Sequence, residues 1–318
     1  MYESLHRLDG LTVQFDQPGI LNIILALIMF GVALGISGRQ FVQLIRHPKP
    51  VFAGVFLQFL VLPFITFLLV VLLRNWITPT VAMGMILVAA CPGGNISNFM
   101  TSLSKGNTEL SVTLSVFSTG FAVFMTPLNF SIWGSMYMNF VNRHVTDTDM
   151  LQTLTIDYWL MFKIVFLILG IPIILGMLCT KYLPKIAEKM KKPLQVFSII
   201  FFVALVVIMF TGNWNLFVNY IHWVFIIVLV HNFLALFSGF SISKWVFKQP
   251  QKNIRTLTIE TGIQNSGLGL VLLFNPNIFP PELAIGGMLF IAAWWGIWHI
   301  VSGLGLSWFW SKRPPKEA

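Results

Sequence analysis

Two polar stretches interrupt apolar runs of this chain: Cys91-Pro92-Gly93-Gly94-Asn95-Ile96-Ser97-Asn98 and Glu260-Thr261-Gly262-Ile263-Gln264-Asn265-Ser266-Gly267. Each apolar run is long enough to span a bilayer, and glycine, with Pro92 in the first stretch, falls where a helix would otherwise continue. Polar side chains are costly in hydrocarbon, so at membrane depth they normally face a water-filled cavity or a bound ion. Two broken helices in matching halves of a chain are typical of a secondary transporter site.

The composition argues for an integral membrane protein. Of the 318 residues, 56% are hydrophobic and only 10% are charged, with a mean hydropathy of +0.81, whereas a soluble domain carries about 25% charged residues. Both cysteines, Cys91 and Cys179, lie in apolar segments, which disfavours a disulfide-stapled extracellular scaffold. The net charge of +9 sits in short loops, so membrane orientation explains it better than nucleic-acid binding. The first residues lack the pattern of a cleaved signal peptide.

Apolar segments long enough to cross a membrane recur along the chain. At about 20 residues per crossing, they predict an all-α membrane protein with about nine transmembrane helices. We expect these helices near residues 19–37, 50–73, 79–103, 107–134, 157–180, 194–212, 219–244, 253–275 and 281–311. The longest predicted loop, about 135–156, is too short for a soluble domain, so the sequence indicates no obligate protein partner besides the lipid bilayer.

The loop charges predict the orientation of the chain. Loops rich in lysine and arginine alternate with loops that are poor in them, as the positive-inside rule requires. The basic set holds Arg39, Arg46, Lys49, Lys105, Lys181, Lys185, Lys189, Lys191, Lys192, Lys244, Lys248, Lys252, Arg255, Lys312, Arg313 and Lys316. The opposite set holds Arg7, Arg74 and Arg143 beside Glu3, Asp9, Asp16, Asp147, Asp149, Asp157 and Glu282. We therefore expect an inner (plasma) membrane protein with its N-terminus outside and its C-terminus in the cytoplasm.

The two broken segments are the third and the eighth predicted helices. Because an odd number of crossings separates them, they run in opposite directions through the membrane, which is the mark of an inverted repeat. Nine helices do not divide into two equal halves, so one repeat is expected to have lost a helix.

Glu260 is the one carboxylate that the sequence places near the membrane midplane. A buried carboxylate must be protonated, paired with a basic residue or bound to a cation, and no lysine or arginine is predicted deep in a segment. Gln264 lies one turn on, and the break at Gly262 frees backbone carbonyls that need partners. These oxygens suit a hard cation such as Na⁺. A protonated Glu260 that bonds between helices, or one that titrates in proton-coupled transport, stays open.

The first break predicts a site for an anion. Pro92 disfavours helix at Cys91, and the half-helix expected to begin near Asn95 presents free N–H groups and a positive dipole end. A proline kink for packing alone would not explain why Asn95, Ser97 and Asn98 follow at once. Other polar residues are weaker signals: Ser111 and Ser115 share a helical face, Gln58 could serve as interhelical glue, His231-Asn232 is most simply a packed pair, and His299 is ambiguous.

Several segments, in register and order, resemble the bile acid:sodium symporter family. They read ILALIMFGVAL, GVFLQFLVLP, CPGGNISNFMTSLSKGNTELSVTLSVFST, TLTIETGIQNSGL and IWHIVSG, and they extend from about residue 20 to 310. The resemblance implies a core domain (about 50–134 and 219–311) and a panel domain (about 19–37 and 157–212) that move relative to each other. Residues 1–18 would then form an extracytoplasmic tail, 19–311 the transmembrane domain and 312–318 a cytoplasmic tail.

The resemblance also implies two sodium sites and a site for an organic anion. The first sodium ion would bind Ser97, Asn98, Ser111, Ser115 and Glu260, and the second would bind Gln58, Glu260, Gln264 and the carbonyls of Thr261 and Ile263. The anion site would involve Asn95, Asn265 and His299. Asn95 stands where the family has threonine, and Ile300 stands where a relative has asparagine, so the substrate could be bile acid-like or a small carboxylate such as pantoate or a 2-oxo acid.

The sequence therefore predicts a sodium-coupled symporter that imports an organic anion by alternating access. A proton-coupled transporter using Glu260, and a membrane receptor that binds the same ligands without transport, remain alternatives. An enzyme is disfavoured because the chain has no HExxH motif and no serine with an evident base.

Overall fold

The computed structural model is helical almost throughout the residues that it describes, which are 1–10, 18–35, 48–142, 157–212, 214–280 and 283–315. The helices are α1 Tyr2–His6, α2 Pro18–Ala33, α3 Pro48–Leu72, α4 Pro79–Ala90, α5 Ser97–Leu103, α6 Thr108–Asn142, α7 Tyr158–Tyr182, α8 Pro184–Gly212, α9 Trp214–Ser241, α10 Gln251–Gly262, α11 Ser266–Leu273 and α12 Gly286–Ser311. Single π-helical turns lie within α3 at Leu57–Val61 and within α7 at Phe166–Gly170, and another, Ile242–Val246, extends α9. The protein is therefore an all-α, multi-pass membrane protein.

Six helices among the described residues are long and apolar enough to cross a membrane unaided: α3, α6, α7, α8, α9 with its π turn, and α12. The other three predicted crossings fall short of that length for two reasons. The described part of α2 has 16 residues, and the third and eighth predicted crossings are each divided into two short helices, α4 with α5 and α10 with α11.

Both divisions follow from local chemistry. Pro92 lacks the N–H that would continue α4, and the Cys91 backbone before it is extended, with φ −71° and ψ 158°. In the second division α10 ends at Gly262, and the Ile263 backbone is extended, with φ −109° and ψ 97°. The next helix, α11, begins with a side-chain cap, because Asn265 accepts a hydrogen bond from the Leu268 N–H.

The centre of the molecule is α4, in which all residues from Thr80 to Ala90 are buried, and it packs against α12. Glycines let the two backbones approach closely. A Cβ on Gly84 would lie 2.7 Å from the Met288 Cα, and a Cβ on Gly287 would lie 2.8 Å from the Val81 nitrogen. Small residues at a crossing of transmembrane helices are a common means of close packing. This contact holds α4 and α12 together beside the two breaks.

A second group of helices, α2, α7 and α8, forms contacts mainly within itself. A Cβ on Gly176 of α7 would lie 2.5 Å from the Ala33 Cβ, and one on Gly31 would lie 2.7 Å from the Leu194 Cβ. The α8 helix is apolar yet only 7% of its most apolar window is buried within the protein. A helix that is apolar on its free face suits a lipid environment.

Several boundaries differ from the sequence prediction. The fourth predicted helix was expected to end at 134, yet α6 continues to Asn142, because the residues that follow 134 keep packing: Tyr137, Met138 and Val141 are buried. The sixth begins ten residues early, at Pro184, because its first turns are a lysine-rich helix that leads into the apolar part. The half-helix expected near Asn95 begins at Ser97.

Two residue placements were also not foreseen. Arg255 was assigned to a loop by its charge, but it lies within α10 and is only 2% exposed. Within the first 18 residues, Tyr2–Gly10 is helical, and Leu5 and Leu8 are fully buried against the helices. Of the charged residues used to predict the membrane orientation, eight lie outside the described part of the chain: Asp16, Arg39, Arg46, Arg143, Asp147, Asp149, Glu282 and Lys316.

Candidate functional site

The two breaks meet at the centre of the protein and pair with each other. Gly93 and Gln264 form an isolated antiparallel bridge. The Gly94 N–H donates to the Ile263 carbonyl at 2.7 Å, and the Asn265 N–H donates to the Pro92 carbonyl at 2.8 Å. Backbone groups freed by a broken helix need partners inside a membrane protein, and here each break supplies them for the other. Glycine at position 94 suits this close approach, since a Cβ there would lie 3.2 Å from the Gln264 carbonyl oxygen, a tight contact.

Glu260, on the last turns of α10, lies beside this crossing and is 4% exposed. Its Oε1 accepts a hydrogen bond from the Ser97 hydroxyl at 2.6 Å and another from the Ser111 hydroxyl. One carboxyl oxygen can accept both hydrogen bonds, because it has two lone-pair sites. The second oxygen, Oε2, faces Gly93, where an added Cβ would lie 3.3 Å from it. The carboxylate therefore sits between α5, α6 and the first break.

Several polar oxygens lie close together around Glu260. The Ser111 hydroxyl lies within hydrogen-bond distance of both Glu260 Oε1 and Asn98 Oδ1, the latter at 2.9 Å. A hydroxyl has one proton, so it can satisfy one of these acceptors at a time. The Ser115 hydroxyl is 3.4 Å from the same Asn98 oxygen. A buried cluster of a carboxylate, an amide oxygen and hydroxyls has the chemistry of a hard-cation site.

The residues predicted for the first sodium ion are thus brought together from three helices. Ser97 and Asn98 come from α5, Ser111 and Ser115 from one face of α6, and Glu260 from α10. In the described part of the chain, no group of three or more His, Cys, Asp or Glu side chains converges.

Two of the residues predicted for the second sodium ion, Gln58 and Gln264, form a closed amide pair. Gln58 Nε2 donates to Gln264 Oε1 at 2.6 Å and to the Cys91 carbonyl at 2.8 Å. In return, Gln264 Nε2 donates to the Thr261 carbonyl at 2.7 Å and lies 3.2 Å from Gln58 Oε1. The Ile263 carbonyl already accepts from Gly94. These residues lie together, but here their donors and acceptors satisfy one another.

Gln58 is carried by the π-helical turn Leu57–Val61 of α3. A π turn inserts one extra residue into a helix and often marks a functional site, because it re-aims the side chains around it. Here it lies where the Gln58 amide reaches both breaks at once, through the Cys91 carbonyl and the Gln264 side chain.

The residues predicted for the anion differ in their access. Asn95 is exposed and Asn265 is half-buried, and they flank the crossing of the two breaks. His299, in contrast, is buried at 6% exposure, and its Nδ1 has no hydrogen-bond partner in the described residues. The structure therefore leaves Asn95 and Asn265 open to a molecule beside the crossing, while His299 lies inside the protein.

A set of hydrogen-bonded polar side chains next to the crossing was not identified as part of the site from the sequence. Asn232 on α9 donates to the Gly262 carbonyl at 2.7 Å and accepts from the Ser302 hydroxyl at 2.6 Å. It therefore caps the end of α10 and ties it to α12. His231, one residue earlier, lies 2.7 Å from the Thr66 hydroxyl and packs edge-on against Trp295. The prediction of a packed polar pair for His231-Asn232 agrees with these contacts, although their role at the break was not recognised.

Comparisons with known proteins agree with this site. The sequence model described as the Sodium Bile acid symporter family matches residues 22–220. An uncharacterized sodium-dependent transporter of Bacillus subtilis (strain 168), YocS, is 32% identical over 297 residues, covering 93% of this chain and 84% of the relative.

Relatives from eukaryotes are more distant. The ileal sodium/bile acid cotransporter of Oryctolagus cuniculus is 28% identical over 293 residues, covering 88% of this chain and 78% of the relative. The probable sodium/metabolite cotransporter BASS2, chloroplastic, of Oryza sativa subsp. japonica is 26% identical over 292 residues, covering 89% of this chain and 65% of the relative. The resemblance found in the sequence motifs is confirmed, and the chain belongs to the sodium bile acid symporter family.

Proposed function

We propose that the protein is a sodium-coupled symporter that imports an organic anion by alternating access. One observation carries this proposal: a buried carboxylate, Glu260, lies among serine hydroxyls and beside the Asn98 amide oxygen, at the point where two broken helices cross. Bound Na⁺ would supply the missing positive charge. The printed names of the relatives, sodium-dependent transporter and sodium/bile acid cotransporter, support the same ion.

Two sodium ions are proposed as co-substrates. The first would bind between Glu260, Ser97, Asn98, Ser111 and Ser115. The second would bind among Gln58, Gln264, Glu260 and the carbonyls of Thr261 and Ile263. For the second ion, the two glutamine amides would rotate out of their mutual hydrogen bonds and turn their carbonyl oxygens towards the cation. Binding would thereby fix both breaks, since Gln264 and Ile263 belong to the crossing.

The charge balance favours a monoanionic substrate. Two Na⁺ ions and one carboxylate leave the loaded site with a net positive charge, which a monoanion would neutralise. An uncompensated charge is costly in a low-dielectric core, so the fully loaded and the fully empty forms should change conformation most readily. We place the anion beside Asn95 and Asn265. His299, which is buried, is the third residue proposed for this site. Bile acid-like molecules and small carboxylates such as pantoate or a 2-oxo acid are the candidate cargoes.

The motion that we propose carries a core domain past a panel domain. Helices α3–α6 and α9–α12 form the core, whereas α2, α7 and α8 form the panel. The contacts support this division, because the two groups meet mainly where α6 faces α7 and where α8 faces α9. Aromatic rings fill these interfaces, with Phe124 5.4 Å from Phe162 and Phe210 4.4 Å from Phe217 between ring centroids.

The topology that we propose has nine crossings, with the N-terminus outside and the C-terminus in the cytoplasm of an inner (plasma) membrane. Crossings α4–α5 and α10–α11 would be equivalent parts of an inverted repeat. Their antiparallel bridge at Gly93 and Gln264 is the contact expected when two equivalent segments run in opposite directions.

Ion replacement in proteoliposomes tests the coupling. We expect uptake of a labelled organic anion to fall at least about tenfold when external Na⁺ is replaced by K⁺ or choline at constant pH, because bound Na⁺ is the proposed co-substrate. Uptake that is undiminished in choline would overturn the sodium function. Uptake driven by a pH gradient alone, without sodium, would favour the proton-coupled alternative. Binding without any uptake would favour the receptor.

A further inference from the structure

Arg255 is a buried cation that the proposed transport cycle does not use. It lies on α10, five residues before Glu260, and only 2% of its surface is exposed. Its guanidinium donates from Nη1 to the Ser104 carbonyl at 2.6 Å and to the Trp310 carbonyl at 3.1 Å, and from Nη2 to the Arg313 carbonyl at 2.5 Å. It also lies 5.6 Å from the centroid of the Trp310 ring. The guanidinium thus contacts backbone carbonyls and one aromatic ring.

These carbonyls belong to the C-terminal ends of two other helices. Ser104 is the C-cap of α5, Trp310 lies in the last turn of α12, and Arg313 follows that helix. The last carbonyls of a helix have no partner within it and carry the negative end of the helix dipole. A planar guanidinium fork can satisfy several of them at once, which a lysine ammonium does not do with the same geometry. The two Nη groups of Arg255 are therefore matched to the helix ends in charge and direction, while its buried Nε has no hydrogen-bond partner among the described residues.

Helices α5 and α10 also meet in the carboxylate cluster, where α6 joins them. Two hydrogen bonds, at two levels along the helix axes, join α5 to α10. At the first level the Ser97 hydroxyl donates to Glu260, and at the second level Arg255 donates to the Ser104 carbonyl. The residue numbers rise along α5 as they fall along α10, so the two helices run antiparallel and are held near both ends. Asn107 strengthens the second level, because its N–H donates to the Thr256 hydroxyl at 2.8 Å. A shift of α10 along its axis would break both levels together.

We propose that Arg255 is a positioning residue for the sodium site. By holding α10 against the ends of α5 and α12, it fixes Glu260 opposite Ser97 and Asn98 before the ion arrives. A site held in place in this way binds its ligand without first paying the entropy of ordering. This inference rests on the proposed sodium coupling. Arg255 itself does not contact the ion.

The test compares three variants in sodium-dependent uptake. Arg255→Gln removes the fork, and Arg255→Lys keeps the charge but not the planar geometry. Arg313→Gln is the matched control, since Arg313 contributes only backbone groups to this junction, while its exposed guanidinium lies 4.1 Å from the Phe309 ring centroid. Each variant is purified, reconstituted and assayed over a sodium titration at saturating anion.

We expect the sodium concentration at half-maximal uptake to rise about tenfold or more in Arg255→Gln, since hydrogen bonds to charged groups are lost. Arg255→Lys should show a smaller rise, and Arg313→Gln should match the wild type. If Arg255→Gln does not fold, the lysine variant decides. Half-saturation equal to the wild type in every folded Arg255 variant, even with a lower maximal rate, would overturn the positioning role. Wild-type uptake that ignores sodium would instead overturn the proposed function.

Discussion

Replacing Glu260 by glutamine is expected to abolish sodium-coupled uptake while leaving the protein folded. The glutamine side chain has the same shape, and its carbonyl oxygen can still accept the hydrogen bonds of Ser97 and Ser111. It cannot supply the negative charge that would hold two cations in a buried site. Removing one partner of a buried charged interaction costs about 3–5 kcal/mol, which corresponds to a loss of sodium affinity of more than about 100-fold.

The measurement is anion uptake in proteoliposomes over a sodium titration, with equal protein reconstituted for each variant. Glu188→Gln is the matched control, because Glu188 is an exposed carboxylate at the start of α8, outside the proposed core, and its loss should leave uptake unchanged. Sodium-stimulated uptake in Glu260→Gln within about twofold of the wild type would contradict the role of this carboxylate. Because the variant blocks proton coupling as well, ion replacement in the wild type decides between the ions.

Removing the Ser111 hydroxyl should weaken sodium binding without abolishing transport. In Ser111→Ala, the carboxylate of Glu260 loses one donor, and a proposed sodium ligand between Glu260 and Asn98 disappears. Interactions of hydroxyls with charged groups contribute about 1.5–3 kcal/mol. We therefore expect the sodium concentration at half-maximal uptake to rise about ten- to 100-fold, whereas the maximal rate at saturating sodium is largely kept.

The control for this variant is Ser238→Ala, which removes a buried hydroxyl that donates only to the Ala235 carbonyl of its own helix. That hydroxyl is not part of the cluster around Glu260. The sodium concentration at half-maximal uptake by Ser238→Ala should therefore equal that of the wild type. A Ser111→Ala protein that needs no more sodium than Ser238→Ala would remove Ser111 from the proposed ligand set.

The sequence was informative where physical rules are local. Pro92, Gly93, Gly94 and Gly262 predict breaks because of what proline and glycine do to a helix, and both breaks lie where expected. Polar side chains within an apolar run indicate a water-filled cavity or a bound ion at membrane depth. Glu260, Ser97 and Gln264 could therefore be identified as site residues before their neighbours were known. The spacing of Ser111 and Ser115 placed both on one face of α6, and both hydroxyls reach Asn98.

Contacts between distant segments could not be read in the same way. The Gln58–Gln264 amide pair joins residues 206 positions apart, and no local pattern predicts that the two side chains would satisfy each other. Arg255 was assigned by its charge to a loop, because the cost of burying a cation is evident in sequence but the helix ends that offset it are not. The role of Asn232 depends likewise on the Gly262 carbonyl, which becomes free only through the fold.

The most direct test of the central claim is equilibrium binding of ²²Na⁺ to the purified wild-type protein and to Glu260→Gln. We expect saturable binding to the wild type that excess K⁺ does not displace, and we expect the glutamine variant to lose it, because the Glu260 carboxylate is the charge that the bound ions share. Equal binding of ²²Na⁺ by the two proteins, or no saturable binding by a folded wild type, would contradict the account.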